Sequence, residues 1–270
     1  MSSYARGEYE SSSKYTPPSL HQRLYFTKYF ALKAEQQDKP MIKILSWNIR
    51  QGGGSRIAPI LKVIETEAPE ILTFSEYRNN ESGIKIRMGL LKMGYRYQAV
   101  SEAGKNDNTA FIASKFPFNS VLFPKSDPNF AHSIIRADFD AFNLYGMYLP
   151  HKKKHRLFDF LIEEELGNSK PSILAGDFNT GHNHIDQEGN SFWYTDKLKK
   201  IESMNYVDVF RQQNGAVKEY SWYSHQGNGY RYDHIYVHND LTPIVTRCYY
   251  LHQCRIDNLS DHAPMLLHIG

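Results

Sequence analysis

The sequence has 270 residues, of which 41% are apolar, and its 32 basic and 29 acidic side chains give a formal net charge of +3. This length allows one large domain or two small ones, with a substantial core. The mildly basic balance is compatible with a polyanionic partner but does not require one. No apolar run approaches the length that crosses a membrane, and the N-terminus lacks a secretory pattern, so we expect no membrane association.

In chain order, the first predicted unit is an N-terminal arm over residues 1–40. Residues 1–18 are rich in Ser and Tyr and end in two prolines, which predicts a flexible arm. Residues 19–37 carry regularly spaced apolar side chains, which favour a helix with Ser19 as its cap. Such a helix could pack on the surface of the following domain or dock a protein partner.

A single domain is predicted over residues 41–270, and it begins with alternating strands and helices. The first elements are a strand over 41–49, a helix over 55–70, a strand over 70–76 and a helix over 81–94. Helices are then predicted over 154–166 and 195–204, and strands over 95–100, 108–114, 132–139, 142–150, 172–176, 206–210, 220–224, 230–238, 244–252 and 263–269. Many strands, few helices and no linker predict two sheets packed face to face and flanked by helices.

Cys248 and Cys254 lie six residues apart near the end of this domain. Their spacing is not that of a zinc site, and a disulfide framework is not expected from two cysteines in a chain of this size. A reducing compartment is the simplest expectation, so we predict a cytoplasmic protein.

Polar side chains stand at or just beyond the ends of several predicted strands. They are Asn48, Glu76, Tyr148, Asp177, Asn179, Asp233, Asp261 and His262. Any one of them alone is more typical of a turn or a helix cap than of a catalytic site. As a set they supply what hydrolysis of a phosphate ester needs: oxygen ligands for a cation, a base for water and donors for the phosphate.

The oxygen-bearing members of this set suit a hard cation. Mg²⁺ takes oxygen ligands and retains several of its waters. Glu76 and Asp261 can supply carboxylates, and Asn48 a carbonyl oxygen. We therefore predict a Mg²⁺ site, with Mn²⁺ as the alternative ion.

The ordered motifs "SWNI", "SEYR", "YLP", "GDFNTG", "YRYDHIYV" and "LSDHAPM" resemble those of the exonuclease–endonuclease–phosphatase superfamily. Within it, the sequence is most similar to the exonuclease III class of abasic-site endonucleases. The resemblance covers residues 41–270. It implies a four-layer α-β-β-α sandwich of two packed mixed sheets flanked by helices, and metal-dependent hydrolysis of phosphodiesters.

The resemblance also implies a role for each catalytic residue. Asp177 would be the general base on the attacking water, and Asn179 would orient water and phosphate. Asp233 would hydrogen-bond His262 and favour its protonated form, so that His262 stabilises developing negative charge. Tyr148 would donate a hydrogen bond to the scissile phosphate or to its leaving oxygen.

Two features of the "NIRQGGG" segment need their own interpretation. Some abasic-site enzymes of this class carry a carboxylate where this sequence has Arg50, which cannot help a metal and could instead contact phosphate. The glycine run Gly52–Gly54 either lets backbone approach the substrate or forms a flexible loop.

Substrate contacts are predicted in two further segments. The basic segment 151–156 follows Tyr148 closely and either contacts phosphates, through His151 and Arg156, or forms a solvated helix start.

The second segment contains Trp222, Tyr230 and Tyr232. By resemblance, these match positions that form a small apolar pocket for a base-less sugar. Aromatic strand residues are also ordinary core residues, so both alternatives stay open. Strand alternation places Tyr232 on the face opposite to Asp233, which makes Tyr232 the weakest of the three predictions.

The leading hypothesis is a Mg²⁺-dependent nuclease acting on DNA, with endonuclease and 3′-exonuclease activity of the exonuclease III type. The alternative is the same chemistry on RNA 3′ ends, phosphoinositides or sphingolipids. A third hypothesis, a binding module without catalysis, conflicts with the intact set of catalytic residue types.

Overall fold

The computed structural model describes residues 41–167 and 170–270. The predicted arm over 1–40, with its helix, lies outside these residues. The strands are β1 Ile42–Asn48, β2 Ile71–Tyr77, β3 Tyr97–Val100, β4 Thr109–Ser114, β5 Asn119–Leu122, β6 Ile134–Asp138, β7 Asn143–Tyr148, β8 Ser172–Asp177, β9 Tyr206–Asp208, β10 Trp222–Tyr223, β11 Gly229–Tyr230, β12 Asp233–His238, β13 Val245–Tyr250 and β14 Met265–Ile269.

The α-helices are short and lie between strands. They are α1 Ile57–Glu67, α2 Glu81–Lys92, α3 His155–Phe160, α4 Thr195–Ser203, α5 Val209–Asn214 and α6 His252–Ile256; α3 continues as a π-helical turn over Leu161–Glu165. Short 3₁₀ turns cover Gly54–Arg56, Ala131–Ser133 and Asn239–Ile244. No helix among the described residues is both long and apolar enough to cross a membrane.

The strands form two mixed sheets of six strands each. One has the order β13-β14-β1-β2-β4-β3, the other the order β5-β6-β7-β8-β12-β9, and β10 and β11 form a separate two-stranded ribbon. The predicted pair of packed mixed sheets flanked by helices is therefore confirmed.

Three apolar layers hold the sandwich together. Between the sheets, residues such as Ile44, Ile112 and Ile235 are fully buried. Helices α1 and α2 cover the outer face of the first sheet, and α3 and α4 cover the outer face of the second. Because neighbouring side chains on a strand point to opposite faces, each strand supplies both an inner and an outer layer.

The predicted elements differ from the structure in several places. Residues 206–210 were predicted as one strand, but Asp208 caps a helix that begins at Val209 by accepting a hydrogen bond from the Arg211 amide at 3.1 Å. The predicted strand 230–238 is interrupted, so β12 begins only at Asp233. Strand β5 was missed because its residues alternate between half-buried and exposed and carry little apolar signal.

Candidate active site

A row of three polar side chains crosses the second sheet at one end. Tyr148 is paired with Asp177 between the parallel strands β7 and β8, and Asp177 is paired with Asp233 between the antiparallel strands β8 and β12. On β8 the inward-facing apolar residues Ile173 and Ala175 precede Asp177 at intervals of two. The row therefore lies at the mouth of the inter-sheet core.

The "GDFN" segment has a separate structural reason for each residue. Gly176 has φ 152°, and a Cβ there would meet the Met147 carbonyl oxygen at 2.0 Å, so only glycine fits beside β7. Phe178 is fully buried in the layer beneath α3 and α4. Asn179 adopts φ 48°, a left-handed conformation that asparagine tolerates. The aromatic side chain thus anchors the segment while its polar neighbours face the cleft.

Hydrogen bonds fix Asp177 from several directions. Its carboxylate accepts from Asn48 Nδ2 at 2.9 Å, from the Asn179 amide at 2.8 Å and from Asn179 Nδ2 at 3.1 Å. Burial raises the pKa of Asp177 above its usual range, although nearby His262 acts in the opposite direction. A carboxylate held in this way is oriented and can also accept a proton.

Asp233 and His262 form a buried pair. His262 Nδ1 lies 2.7 Å from Asp233 Oδ2, as the sequence predicted, and Asp233 Oδ1 has no hydrogen-bond partner among the described residues. Burial alone would lower the pKa of His262, but Asp233 and Asp177 outweigh it and raise the pKa to about 10. His262 is therefore an imidazolium at neutral pH, with Nε2 left for a ligand.

Glu76 reaches the site through a break in strand alternation. Regular alternation would place its side chain with Phe74 against the helices. A bulge between Phe74 and Tyr77 and φ 55° at Glu76 interrupt that pattern. The carboxylate instead accepts hydrogen bonds from Asn48 Nδ2 at 3.1 Å and from the Gln51 amide at 2.9 Å. Backbone strain of this kind is typical of functional sites.

Asn48 lies between the two carboxylates and links them. Its Nδ2 donates to both Glu76 and Asp177, while its Oδ1 accepts from the Arg50 amide at 2.9 Å. The amide thus presents hydrogen atoms, rather than its carbonyl oxygen, to the carboxylates. The sequence predicted Asn48 as a metal ligand through this carbonyl oxygen, but in this arrangement that oxygen is hydrogen-bonded to the Arg50 amide and the side chain holds Glu76 and Asp177 in place.

Asp261 lies at the outer side of the site and is 40% exposed. One of its oxygens is 3.9 Å from Arg50 Nε and 3.4 Å from Trp222 Nε1. Arg50 is 56% exposed, so its guanidinium group is open to an anionic ligand as well.

The donor set suits a hard cation. Among the described residues, one group of three ligating side chains has its ligand atoms within 4.8 Å of one another, and it comprises Asp177, Asp233 and His262. As an imidazolium, His262 has no lone pair for a cation, so the oxygen ligands of the kind that Mg²⁺ prefers are carboxylates: the unpartnered Asp233 oxygen, Glu76 and Asp261.

Tyr148 completes the row from β7. Burial raises the pKa of its hydroxyl well above the usual range, and the charges of Glu76 and Asp177 raise it further. The hydroxyl therefore stays protonated, although the nearby Asn108 side chain lowers this pKa. Asn108 in turn accepts from Arg78 Nε at 2.7 Å.

A cavity of about 390 Å³ opens beside this row. Trp222, Tyr230 and Tyr232 all line it, with ring centroids 5.5 to 5.9 Å apart. The expectation that Tyr232 faces away is wrong, because β12 begins after it and strand alternation does not apply. The cavity is also neither small nor purely apolar, because charged side chains line it as well.

The basic segment 151–156 divides between the cavity and the solvent. His151, Lys152 and Lys154 line the cavity, whereas Arg156 is exposed in the first turn of α3 and is not among the lining residues. Lys154 is buried and its Nζ donates to the Asn179 carbonyl at 2.7 Å. Burial lowers the pKa of Lys154 to about 7, although Asp177 opposes this.

The glycine run forms a fixed loop. Gly52, Gly53 and Gly54 all have positive φ, and the Gly52 amide donates to the Glu76 carbonyl at 2.7 Å. Arg56 donates to the Arg50 carbonyl at 2.6 Å. These hydrogen bonds argue against the flexible-loop alternative and explain how the Gln51 amide is aimed at Glu76.

Three buried serines support the site and were missed in the sequence. Ser75 Oγ donates to the Met147 carbonyl at 2.7 Å and accepts from the Asp177 amide at 3.0 Å, which ties the two sheets together. Ser221 Oγ accepts from the amides of Tyr232 and Asp233. Ser260 Oγ donates to the Asn48 carbonyl at 2.6 Å. Each serine directly precedes a predicted site residue, which is the signal that could have found them.

Comparison with other sequences identifies relatives over most of the chain. It is 24% identical over 276 residues to a DNA-(apurinic or apyrimidinic site) endonuclease of Dictyostelium discoideum, covering 88% of this chain and 75% of that protein. It is 24% identical over 278 residues to an exodeoxyribonuclease of Streptococcus pneumoniae serotype 4, covering 84% and 99%.

Solved structures share the fold. A 3′ phosphatase, NExo, from Neisseria bound to a product DNA hairpin matches with a TM-score of 0.74 and 20% identity, covering 85% of this chain and 99% of that one. An AP endonuclease from Archaeoglobus fulgidus matches with a TM-score of 0.71 and 23% identity, covering 84% and 98%. The profile of the Endonuclease/Exonuclease/phosphatase family matches residues 45–262, more than half of the sequence. The chain therefore belongs to the Endonuclease/Exonuclease/phosphatase family.

Proposed function

We propose that this protein is a Mg²⁺-dependent phosphodiesterase that acts on DNA as an endonuclease and 3′-exonuclease of the exonuclease III type. The observation that carries the proposal is the row Tyr148, Asp177 and Asp233, with His262 paired to Asp233 at 2.7 Å. The names of the relatives, an abasic-site endonuclease and an exodeoxyribonuclease, support DNA as the substrate.

Asp177 is the general base in this proposal. Its raised pKa brings its proton affinity closer to that needed to accept a proton from water at neutral pH. Asn179 holds Asp177 through two hydrogen bonds and orients the attacking water. Asn48 fixes the same carboxylate from the opposite sheet, so that the base has a defined direction.

His262 and Tyr148 stabilise the charge that develops on the phosphate and on its leaving oxygen. The imidazolium form of His262, maintained by Asp233, offers a charged donor from Nε2. The Tyr148 hydroxyl, kept protonated by its burial, offers a neutral donor. Both groups are preorganised before the substrate binds.

Glu76 and Asp261 are the proposed carboxylate ligands of Mg²⁺, and Asn48 positions Glu76 for this task. When bound, the cation would neutralise negative charge on the phosphate. Arg50, His151, Trp222 and Tyr230 are the proposed substrate-binding residues. Cationic and aromatic side chains beside one cavity suit the phosphates and bases of a nucleic acid better than a lipid tail.

A substrate panel tests this proposal. Plasmid DNA, an abasic-site duplex, RNA, a phosphoinositide and sphingomyelin are incubated with the protein in Mg²⁺, in Mn²⁺ and in excess chelator. We expect cleavage of both DNA substrates in either metal and none in chelator. Cleavage of RNA or lipid without DNA would replace the proposed substrate, and undiminished hydrolysis in chelator would remove the metal.

The matched variants are Glu76→Gln and Glu65→Gln. Glu76→Gln removes a charged oxygen from the cation site, so activity should fall and half-maximal activity should need more Mg²⁺. Glu65 is exposed on α1 and pairs with Lys62, so its variant should behave as the parent. Equal Mg²⁺ titrations for the two variants would exclude Glu76 as a ligand.

A further inference from the structure

Trp193 is the most exposed large apolar side chain of the described residues, at 63% exposure, and it stands at the rim of the cavity beside the catalytic row. No motif in the sequence points to this residue. Large exposed aromatic rings next to a cleft commonly mark a binding surface, because one face of the ring is free to stack.

The exposure of Trp193 arises from a firmly held backbone. The Thr180 hydroxyl donates to the Trp193 carbonyl. The preceding residue, Phe192, exchanges two hydrogen bonds with the Asn183 side chain, at 2.7 and 3.3 Å. The following residue, Tyr194, donates through its hydroxyl to the Lys152 carbonyl at 2.8 Å. The chain therefore presents this ring outward at a fixed place.

This place is tied to the catalytic segment. Thr180 is buried and directly follows Asn179, so its hydrogen bond ties the Trp193 backbone to the proposed catalytic loop. The interior rings of Tyr230 and Tyr232 are stacked on each other at an interplanar angle of 9°. Trp193, in contrast, is 63% exposed at the rim.

The charge around Trp193 selects the ligand chemistry. Lys152 Nζ lies 6.0 Å from the Trp193 ring centroid, and Lys152 also lines the cavity. A flat aromatic face next to an ammonium group matches a nucleobase attached to a phosphate, since stacking binds any base and the cation binds the backbone. A lipid tail would gain nothing from the ammonium group.

We propose that Trp193 is a stacking platform for an unpaired nucleobase on the nucleotide next to the scissile phosphate. This inference rests on the proposed nuclease function and makes it more specific. The preferred substrate carries a base at that nucleotide and has it outside a duplex, as at a frayed or single-stranded 3′ end. A cavity of about 390 Å³ accommodates such a nucleotide, whereas a base-less sugar would leave Trp193 without a contact.

The test compares two labelled oligonucleotides that are identical except at one unpaired nucleotide, which carries either a base or no base. Dissociation constants by fluorescence anisotropy and cleavage rates are measured for the parent, Trp193→Ala, Trp193→Tyr and Tyr97→Ala. Tyr97 serves as the matched control. It is 38% exposed on β3, the edge strand of the first sheet, and pairs with Ser114 opposite the start of β2, away from Glu76.

We expect Trp193→Ala to weaken binding of the base-bearing oligonucleotide by roughly 5- to 150-fold, the range for loss of one aromatic stack. Binding of the base-less oligonucleotide should weaken at least fivefold less. Trp193→Tyr should bind closer to the parent than Trp193→Ala does, and Tyr97→Ala should match the parent.

Equal weakening on both oligonucleotides, or none on either, overturns the stacking role. The binding measurement decides this point even if neither oligonucleotide is cut. Absence of cleavage by the parent in Mg²⁺ counts against the proposed nuclease function instead, so the two failures are distinguishable.

Discussion

Two clusters of buried carboxylates lie on either side of Tyr232, and their charges are balanced differently. In the first, Arg231 lies between Asp186 and Asp208 and hydrogen-bonds both. In the second, Asp233 lies opposite Asp177 and the neighbouring cation is the His262 imidazolium.

The carboxyl pKa values of Asp186 and Asp208 are shifted in the direction opposite to that of Asp177. Burial opposes ionisation of Asp186, but Arg231 outweighs it and lowers the pKa to about 2. Arg231 and His234 likewise hold the pKa of Asp208 well below its usual range, against the effect of burial. The pKa of Asp177 is raised instead. A carboxylate beside a guanidinium stays ionised and supports the structure, whereas one with a raised pKa can exchange a proton.

The largest expected effect comes from Asp177→Asn. The amide keeps the shape of the side chain but cannot take a proton from water, so kcat should fall by roughly 10²- to 10⁴-fold. The free energy of unfolding should change little, because the removal of a buried charge offsets the hydrogen bonds from Asn48 and Asn179 that the new amide nitrogen cannot accept. Single-turnover cleavage of an abasic duplex and urea denaturation measure the two quantities.

The outcome that contradicts this assignment is a variant that cleaves within about twofold of the parent. Asp186→Asn is the matched control, since it changes the same chemical group in the other cluster. Its main effect should be a lower free energy of unfolding rather than a lower kcat, because Arg231 and Arg211 both hydrogen-bond Asp186.

Arg231→Met tests the structural cluster directly. The substitution leaves Asp186 and Asp208 buried without their shared cation, and breaking such a pair costs roughly 3–5 kcal/mol. The urea midpoint should fall accordingly. Arg247→Met, at an exposed position on β13, should change stability by less than about 0.5 kcal/mol. Equal midpoints for the two variants would show that the cluster does not stabilise the fold.

The next smaller effect is a change in the pH dependence of kcat when the pair of Asp233 and His262 is broken. His262 has a pKa raised to about 10, so its charged form persists through neutral pH and is lost as pH rises through that value. Asp233→Asn removes the main cause of the increase. The alkaline limb of the kcat profile should therefore move down toward the ordinary histidine value of roughly 6.5.

The ratio of the Asp233→Asn rate to the parent rate distinguishes a lowered His262 pKa from a general structural defect. It should be smallest near pH 9, where the parent keeps its imidazolium and the variant does not. At pH 6 both proteins carry the charged form and the ratio should be closer to one. A ratio that is constant from pH 6 to pH 9 would mean that Asp233 does not control the protonation of His262.

The residues Tyr148, Asp177 and Asp233 could be selected from the sequence because they lie at the ends of predicted strands or close to them. Apolar alternation identifies the strands, and the polar residue that ends each one lies on a face set by that alternation. The motif order then added the family resemblance and the four-layer fold that it implies. The antiparallel pairing of β8 with β12, which the sequence did not predict, sets Asp177 opposite Asp233.

The remaining features depend on contacts that alternation does not encode. Glu76 reaches the site only because its backbone adopts φ 55°. Ser75 matters through a hydrogen bond between the two sheets. Arg231 is fully buried because two distant carboxylates surround it, although arginine is usually exposed. Trp193 is exposed where an apolar pattern would predict burial.

The smallest expected effect separates Arg156 from Lys152 within the basic segment. On the sequence alone Arg156 was a candidate for phosphate contact and Lys152 was not, but Lys152 lines the cavity and Arg156 does not. Each phosphate contact contributes about 0.7 to 0.9 to the slope of log affinity against log salt, because a counterion is released.

Lys152→Ala should therefore reduce the magnitude of that slope by about this amount. Arg156→Ala should leave it unchanged and weaken binding by less than about twofold in 0.15 M salt, where exposed charges beyond about 8 Å are largely screened. Equilibrium binding of one oligonucleotide at several salt concentrations measures both slopes. If Arg156→Ala lowers the slope as much as Lys152→Ala does, the DNA extends along α3 and Arg156 binds phosphate as the sequence predicted.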